Sequence, residues 1–251
     1  MNLLSEEGYR LDGRKPTELR VIKCKLGVFS QPDGSAYLEQ GNTKVLAAVY
    51  GPHEIRGSKT KAMHDQVYVN CQYSMATFST GERKRRPRGD RKSQEMTQHL
   101  RQALQAAIKT ELYPRSQIDV FVEVLQADGG NYCVCVNAAT LALIDAGIPM
   151  KEYMISCSAT LASNNKPMVD ISHVEEISGG CNLTIAALPI SGQIAVMEMS
   201  QRFHIDSFHE VVECALEGCR EIHRILNAQV IEHVQTAGVA SNWGIKSANE
   251  L

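Results

Sequence analysis

The sequence has few aromatic residues, almost no net charge and no long apolar run. Aromatic side chains make up 6% of its 251 residues, and the formal net charge is −2. A chain this close to neutral has no global positive field to attract nucleic acid, so any contact with RNA must come from a local patch. The longest apolar runs, such as Val45–Tyr50, are far shorter than the roughly 20 residues that span a bilayer.

A secretory signal and a zinc motif are also missing. Residues 1–10 carry charges instead of a long apolar segment, which predicts an intracellular chain whose eight cysteines are thiols. Only Cys133 and Cys135 lie close together, and C-x-C spacing without a second pair is poor for zinc. We therefore predict that the cysteines are small buried hydrophobic residues. No metal and no cofactor are expected.

The first half of the chain has the pattern of strands followed by helices. Strand-like segments occur between Cys24 and Phe78, and apolar residues then recur at helical spacing from Met96 to Leu112. Ile118–Val124 alternates between apolar and polar residues, as a half-buried strand does. A second helix, at about 131–146, is apolar on every side, which predicts that it is buried.

The second half repeats this order. Four short strands between Ile155 and Met199 precede a long amphipathic helix with an apolar face from Phe208 to Val230. The pattern predicts an α+β fold with two pseudo-duplicated strand–helix halves, at residues 1–150 and 151–235. No linker divides the halves, so they should share one core. Residues 236–251 are rich in Ala, Ser, Asn and Gly and are predicted to form a loose tail.

Residues 79–92 form the one strongly biased segment. Seven of the ten residues from Arg83 to Lys92 are basic. Asp90 is a candidate N-cap for the helix that follows, which places Arg91 and Lys92 in a first turn where backbone N–H groups already favour an anion. A solvated loop or a nuclear-localisation signal would have the same composition. The candidate RNA-binding residues are Arg83, Lys84, Arg85, Arg86, Arg88, Arg91 and Lys92, with a weaker group, Arg56, Lys59 and Lys61, in an earlier loop.

Short motifs spread over residues 5–235 resemble the ribonuclease PH family, and its eukaryotic exosome members most of all. They include Leu11-Asp12-Gly13-Arg14, Gly41-Asn42-Thr43-Lys44, Leu125–Gly130 and Asn137–Ala142. The resemblance implies a ribonuclease PH-type fold, which is ribosomal protein S5 domain 2-like. It also implies a ring of six such domains, arranged as three heterodimers around a pore for single-stranded RNA, with S1/KH-type caps on one face.

Catalytic members of the family degrade RNA from its 3′ end by phosphorolysis. The chemistry needs cations on the RNA phosphates, a donor-rich cradle for the attacking phosphate, and a carboxylate pair. Arg91 and Lys92 fall where catalytic members carry an arginine pair. After Asp128-Gly129-Gly130, however, this chain has Asn131 and Tyr132 where the family has Ser or Thr followed by Arg.

The carboxylate pair also differs from the family pattern. Glu176 and Asn182 fall where the family has two catalytic aspartates. Asn182 has no proton to give and no full negative charge for a metal. We interpret Asp170 and Glu175 as strand-end and capping residues rather than a metal cluster, and His173 as a loop residue rather than a base.

These differences predict a degenerate subunit that is not itself an enzyme. We expect it to support the ring and line the RNA channel for 3′-to-5′ processing of ribosomal RNA and decay of mRNA by an associated hydrolytic exoribonuclease. Expected partners are the other ribonuclease PH-type subunits, the S1/KH caps and single-stranded RNA, with no membrane. The expected compartments are the nucleus, nucleolus and cytoplasm.

Two other readings stay open. The chain could be an active phosphate-dependent 3′-to-5′ exoribonuclease, but the residues Tyr132 and Asn182 argue against this alternative. It could instead be a free-standing RNA-binding protein outside any ring. A near-neutral chain with one basic loop should, however, need neighbours to complete a groove for single-stranded RNA.

Overall fold

The computed structural model of the chain describes residues 3–5, 7–55, 65–83, 89–162, 166–178, 180–202 and 204–240. The strands found there are β1 (Ile22–Leu26), β2 (Gly34–Gln40), β3 (Thr43–Glu54), β4 (Tyr68–Met75), β5 (Ser116–Gln126), β6 (Ile155–Leu161), β7 (Pro167–Val169), β8 (Asn182–Leu188) and β9 (Gln193–Met199). The α-helices are α1 (Arg91–Ala107), α2 (Asn131–Asp145), α3 (His173–Ile177) and α4 (Ile205–Ala240). A short 3₁₀ turn, Thr110–Leu112, precedes β5.

The strands form two sheets, one from β1–β5 and one from β6–β9. The first has the order β1-β2-β3-β5-β4, in which β4 and β5 are parallel and the other pairs antiparallel. The second has the order β7-β6-β8-β9 and is antiparallel throughout. Alternating burial along β3 and β5 turns one face of the first sheet toward the helices.

Helix α2 lies at the centre of the molecule and packs on strands of both sheets. Every residue from Tyr132 to Leu143 is buried, as the all-round apolar pattern predicted. One apolar cluster contains Leu38 and Val122 of the first half together with Ile155 and Ile222 of the second. The α+β fold and the shared core are therefore confirmed.

The cysteines are thiols, and burial suppresses the ionisation of most of them. Burial raises the pKa of Cys71 and Cys133 to about 12, and it raises the pKa of the other buried thiols as well. The fully buried cysteines are Cys71, Cys133, Cys135, Cys157 and Cys219. The prediction of complete burial is wrong for the half-buried Cys24, Cys181 and Cys214.

Two elements differ from the sequence-based expectation. Helix α4 continues through Thr236 to Ala240, so the start of the predicted loose tail is helical; residues 241–251 lie outside the described residues. The helix is anchored by buried residues such as Leu226 and Val230, and each further residue adds a hydrogen bond to an existing helix. His173, predicted to lie in a loop, is the first residue of α3, a helix too short to show a period.

None of the helices in the described part of the chain is long and apolar enough to cross a membrane.

Candidate functional site

A cavity of about 300 Å³ lies at the junction of the two halves. The first turns of α1 and α2 border it from the first half, and α3 and the β8–β9 hairpin border it from the second. Tyr73 and Met75, at the end of β4, supply an apolar wall. We call this cavity the junction pocket.

The junction pocket gathers the positions that the sequence singled out for chemistry. The residues concerned are Lys92, Asn131, Tyr132, Glu176 and Asn182, and His173 lies beside them. They come from three separate stretches of the chain. The fold therefore brings into one pocket the positions that the family resemblance associates with catalysis. Their roles as site residues stay predictions.

Of the other predicted RNA-binding cations, the two that the structure describes, Arg83 and Arg91, do not line the pocket. The side chain of Arg91 is 94% exposed, and its Nε lies 3.6 Å from Glu95 Oε1 one turn further along α1. Arg83 is exposed as well. Lys84, Arg85, Arg86 and Arg88, like Arg56, Lys59 and Lys61, lie outside the described residues.

The loop before α2 is shaped by two glycines. Gly129 and Gly130 have φ angles of +81° and +61°, a left-handed conformation that favours glycine. A Cβ on Gly129 would lie 2.5 Å from the backbone nitrogen of His173, so the loop packs directly on the backbone of α3. This close approach places the N-terminus of α2 at the pocket. Its unpaired N–H groups and the helix dipole favour an anion there.

Arg20 fastens this loop to the second half of the molecule. Its guanidinium donates to Asp170 Oδ1 (2.7 Å), to the carbonyl oxygen of Asp128 (2.8 Å) and to Thr43 Oγ1 (3.3 Å). Burial alone raises the pKa of Asp170, but the charge and hydrogen bonds of Arg20 outweigh it, so this pKa lies below its ordinary value. Asp170 is therefore an ionised structural residue.

Helix α3 is fixed by a second buried ion pair, between Arg10 and Glu175. Glu175 also accepts a hydrogen bond from the Ser172 backbone nitrogen (2.8 Å) in a capping box. Burial acts to raise the pKa of Glu175, and the hydrogen bonds from Arg10 and Ser172 outweigh this and lower it. These contacts hold the neighbouring Glu176 at the pocket, and they agree with the interpretation of Glu175 as a capping residue.

Several pocket atoms have unused hydrogen-bonding capacity. Within the described part of the chain, Asn131 Oδ1, Tyr132 OH and Asn182 Oδ1 are buried and have no hydrogen-bond partner. Burial raises the pKa of the Tyr132 hydroxyl far above its ordinary value, so it stays protonated and able to donate. Buried polar groups in folded proteins are almost always paired, so these atoms are well placed to bind a ligand.

Strand pairing adds residues that sequence reasoning missed. In β8 and β9, Thr184 lies directly opposite Glu198, and Ser200 follows two residues further along. All three line the pocket, and Glu198 Oε2 lies 3.2 Å from His99 Nδ1 of α1. A signal for this pairing was present, because Ser191-Gly192 separates two strand-like segments and the register of a hairpin follows from its turn and its hydrophobic pattern.

The family resemblance associates this position with a divalent metal. Among the described residues, no group of three or more His, Cys, Asp or Glu side chains is arranged to hold one. Glu176 and Glu198, two carboxylates at the pocket, therefore do not by themselves form a site for such a metal.

Comparison with known proteins identifies the class of protein that this fold and pocket define. Residues 18–149 match domain 1 of the 3′ exoribonuclease family, and residues 152–218 match domain 2. The chain belongs to this family, and its fold is of the ribonuclease PH type.

Within the family, the chain is similar over nearly its whole length to proteins named RRP41. It is 59% identical over 240 residues to the mouse exosome complex component RRP41, covering 96% of this chain and 98% of that protein. It is 41% identical to the exosome complex component Rrp41 of Pyrococcus furiosus, covering 89% and 88%. An Archaeoglobus fulgidus exosome structure with RNA bound to the active site shares the fold, with a TM-score of 0.75 at 20% identity over 88% of this chain and 93% of that one.

The expectation that the chain is not an enzyme is corrected by these matches. Both halves match a family of 3′ exoribonucleases, and archaeal members of the RRP41 group match about nine-tenths of the chain. The sequence-based prediction compared single residues with the family motif. It did not take into account the side chains that other strands contribute to the pocket. Glu198, Thr184 and Ser200 add a carboxylate and two hydroxyls beside Glu176.

Proposed function

We propose that this chain is a subunit of the exosome ring that binds the 3′ end of single-stranded RNA in the junction pocket. One observation carries the proposal: the N-terminus of α2, Lys92 and three unpartnered polar atoms border the same cavity. The helix N-terminus and Lys92 suit a phosphate group. The unpartnered Asn and Tyr groups suit the hydroxyl and amide groups of a nucleotide.

The relatives and the charge of the chain support a proposal about its partners. The similar proteins are named as exosome components, and the net charge of −2 leaves the chain dependent on neighbours for a complete RNA groove. We propose other ribonuclease PH-type subunits as ring neighbours, with S1/KH caps and a hydrolytic exoribonuclease attached to the ring. The nuclear, nucleolar and cytoplasmic location stays a prediction.

Photocrosslinking tests where the RNA end lies. A single-stranded RNA with 4-thiouridine as its last nucleotide is bound to the assembled complex in phosphate-free buffer, irradiated, and the crosslinked peptide is identified. We expect crosslinks to residues of the junction pocket, such as Tyr132 and Met96. An RNA with the same label at its 5′ end is the control. Crosslinks that map elsewhere on this chain, or equally from both ends, would contradict the proposal.

Phosphorolysis in the same pocket is a second candidate function. Two carboxylates, Glu176 and Glu198, face a cavity that also has a helix N-terminus for an anion. Inorganic phosphate bound at that N-terminus would attack the phosphorus of the terminal phosphodiester. The bond to the 3′ oxygen of the preceding nucleotide would break, a protonated carboxyl group would give that oxygen its proton, and a nucleoside diphosphate would leave. The complex is incubated with 3′-labelled RNA, phosphate and Mg²⁺, and nucleoside diphosphate is measured. Release that Glu176→Gln abolishes supports this function, whereas no release from the unaltered complex rejects it.

A further inference from the structure

One aromatic side chain that does not line the junction pocket is largely exposed to solvent. Phe78 follows β4 and is 71% exposed, the highest exposure among the aromatic residues of the described chain. The sequence has five phenylalanines, and for comparison Phe29 is 47% exposed and Phe121 38%. Burying a phenylalanine side chain stabilises a protein by about 1.5–3 kcal/mol, so the folded chain forgoes most of that contribution at Phe78.

The backbone around Phe78 is held firmly. Ala76 N donates to the carbonyl oxygen of Val124 (2.9 Å), and Ser79 N donates to that of Ala76 (3.0 Å). Ala127 N in turn donates to the carbonyl oxygen of Ser79 (2.9 Å), and both Ala76 and Ser79 are buried. The turn is thus tied to the end of β5 on both sides of Phe78. The ring is exposed on a fixed support, not on a loose loop.

Phe78 is also close in the chain to residues that line the junction pocket. Met75, three residues before it, and Thr80, two residues after it, both line the pocket, as does Ala127, to which the turn is hydrogen-bonded. The basic run of residues 83–92 begins five residues further along the chain. Phe78 is therefore close in the sequence both to residues that line the pocket and to the segment richest in positive charge.

We propose that Phe78 is a stacking platform for a base of the single-stranded RNA whose 3′ end occupies the junction pocket. This inference rests on the proposed function and adds a binding site outside the pocket. A base stacked on an aromatic ring gains affinity whatever its identity, because every base has a π-face. A rigid ring loses little freedom on binding, and nearby cations suit the phosphates on either side of the stacked base. A duplex, whose bases are already stacked, would not use this site.

The test is a double-mutant cycle on the assembled complex in phosphate-free buffer, with affinity for a single-stranded RNA measured at fixed salt. Phe78→Ala should weaken binding by about 5- to 150-fold, the range observed for loss of one stacked base, and Phe78→Tyr should retain it. Phe29→Ala is the matched control, because it removes an exposed phenylalanine whose neighbours in the chain do not line the pocket. It should leave the affinity unchanged.

The second arm of the cycle replaces one nucleotide at a time with an abasic site. At one position, a fixed number of nucleotides from the 3′ end, the abasic RNA should lose affinity for the unaltered complex but not for Phe78→Ala. Additive losses at every position would overturn the inference. So would a Phe78→Ala variant that assembles poorly but whose assembled fraction binds RNA normally, because Phe78 would then be a contact for a protein neighbour.

The outcomes separate this inference from the proposed function. One outcome is that RNA crosslinks in the junction pocket while the Phe78→Ala complex binds it with the affinity of the unaltered complex. That result would reject base stacking on Phe78 and would support binding of the RNA end in the pocket. If RNA shows no crosslink in the pocket yet loses affinity on Phe78→Ala, the RNA contacts this surface without placing its end in the pocket. That result rejects the proposed function and, with it, the stated geometry of the platform.

Discussion

At the scale of single residues, the most informative group is the hydroxyl of Tyr132. The tyrosine ring is buried and contacts His99 edge-on, with 6.1 Å between ring centroids. Its hydroxyl is protonated and, among the described residues, has no hydrogen-bond partner. A buried group of this kind costs stability without a ligand, and it gains a hydrogen bond when a ligand enters.

Tyr132→Phe should therefore have different effects on the stability of the folded chain and on its affinity for RNA. Removing the hydroxyl leaves the ring in place and removes an unpaired polar atom. We expect the free energy of unfolding in urea to stay the same or rise by about 1 kcal/mol, and the affinity for RNA to fall by about 2- to 10-fold. A fall of more than about 1 kcal/mol in stability would show that the hydroxyl is paired within the folded protein.

At the scale of elements, the pocket depends on how the loop before α2 is fastened. Arg20 and Asp170 join this loop to the end of β7, and Gly129 lets it lie against α3. Neither contact could be read from the sequence, since the partners are far apart in the chain. Strand β5 was predictable because apolar residues alternate along it; α3, with five residues, was not.

The Arg20–Asp170 pair should make stability depend on acid. The pKa of Asp170 is lower in the folded chain than its ordinary value of about 3.9, so its contribution is complete above that value and is lost as pH falls through the folded pKa. Asp170→Asn should lower the free energy of unfolding at pH 7 by about 3–5 kcal/mol, because Arg20 is left buried and unpaired. The free energy of unfolding of Asp170→Asn should also decrease less steeply than that of the unaltered chain as pH falls below about 4.

Urea unfolding at a series of pH values measures both effects. Asp12→Asn is the control, because Asp12 pairs with Arg14 at a more exposed site, where such pairs contribute about 0–1 kcal/mol. An Asp170→Asn variant that loses stability in acid as steeply as the unaltered chain would show that other groups govern the acid response.

Gly129→Ala and Gly147→Ala form a matched pair for the loop. Both glycines have positive φ angles, +81° and +69°, so alanine at either position should cost about 1–2 kcal/mol. A Cβ at position 129 would in addition clash with the backbone of Ser172 and His173, whereas one at position 147 meets nothing within 4 Å. We expect Gly129→Ala to be clearly the more destabilising in urea unfolding. Equal losses in the free energy of unfolding would mean that the loop and α3 move apart to accommodate the Cβ at position 129 without a measurable loss of stability.

At the scale of the whole molecule, the pocket exists because two halves share one core. Tyr132 comes from the first half and Asn182 from the second, and both border the same cavity. The net charge of −2 supplies no field of its own, so binding of RNA depends on local cations and on neighbouring subunits.

This dependence predicts how binding responds to assembly and salt. The isolated chain should bind single-stranded RNA weakly, and the assembled complex much more tightly. In the complex, Lys92→Glu should lower the log–log slope of affinity against salt by about 0.7, the value for one single-strand phosphate contact. Lys151→Glu makes the same charge change at an exposed position away from the pocket and should leave the slope unchanged. Equal slopes for both variants would remove Lys92 from the phosphate contacts.

The sequence by itself determined the order of strands and helices, the burial of α2 and the family, because periodicity and motifs are local properties of the chain. It also named most of the chemical positions that line the pocket. It gave the wrong expectation of a chain that is not an enzyme, because it judged Tyr132 and Asn182 one at a time. The tertiary structure alone decided what surrounds them. Glu198 lies at the same pocket because β9 packs against α1 of the other half, and Arg20 fixes the loop beside them through a contact across 150 residues of chain. Such long-range contacts depend on how the halves pack, and no local pattern records that packing.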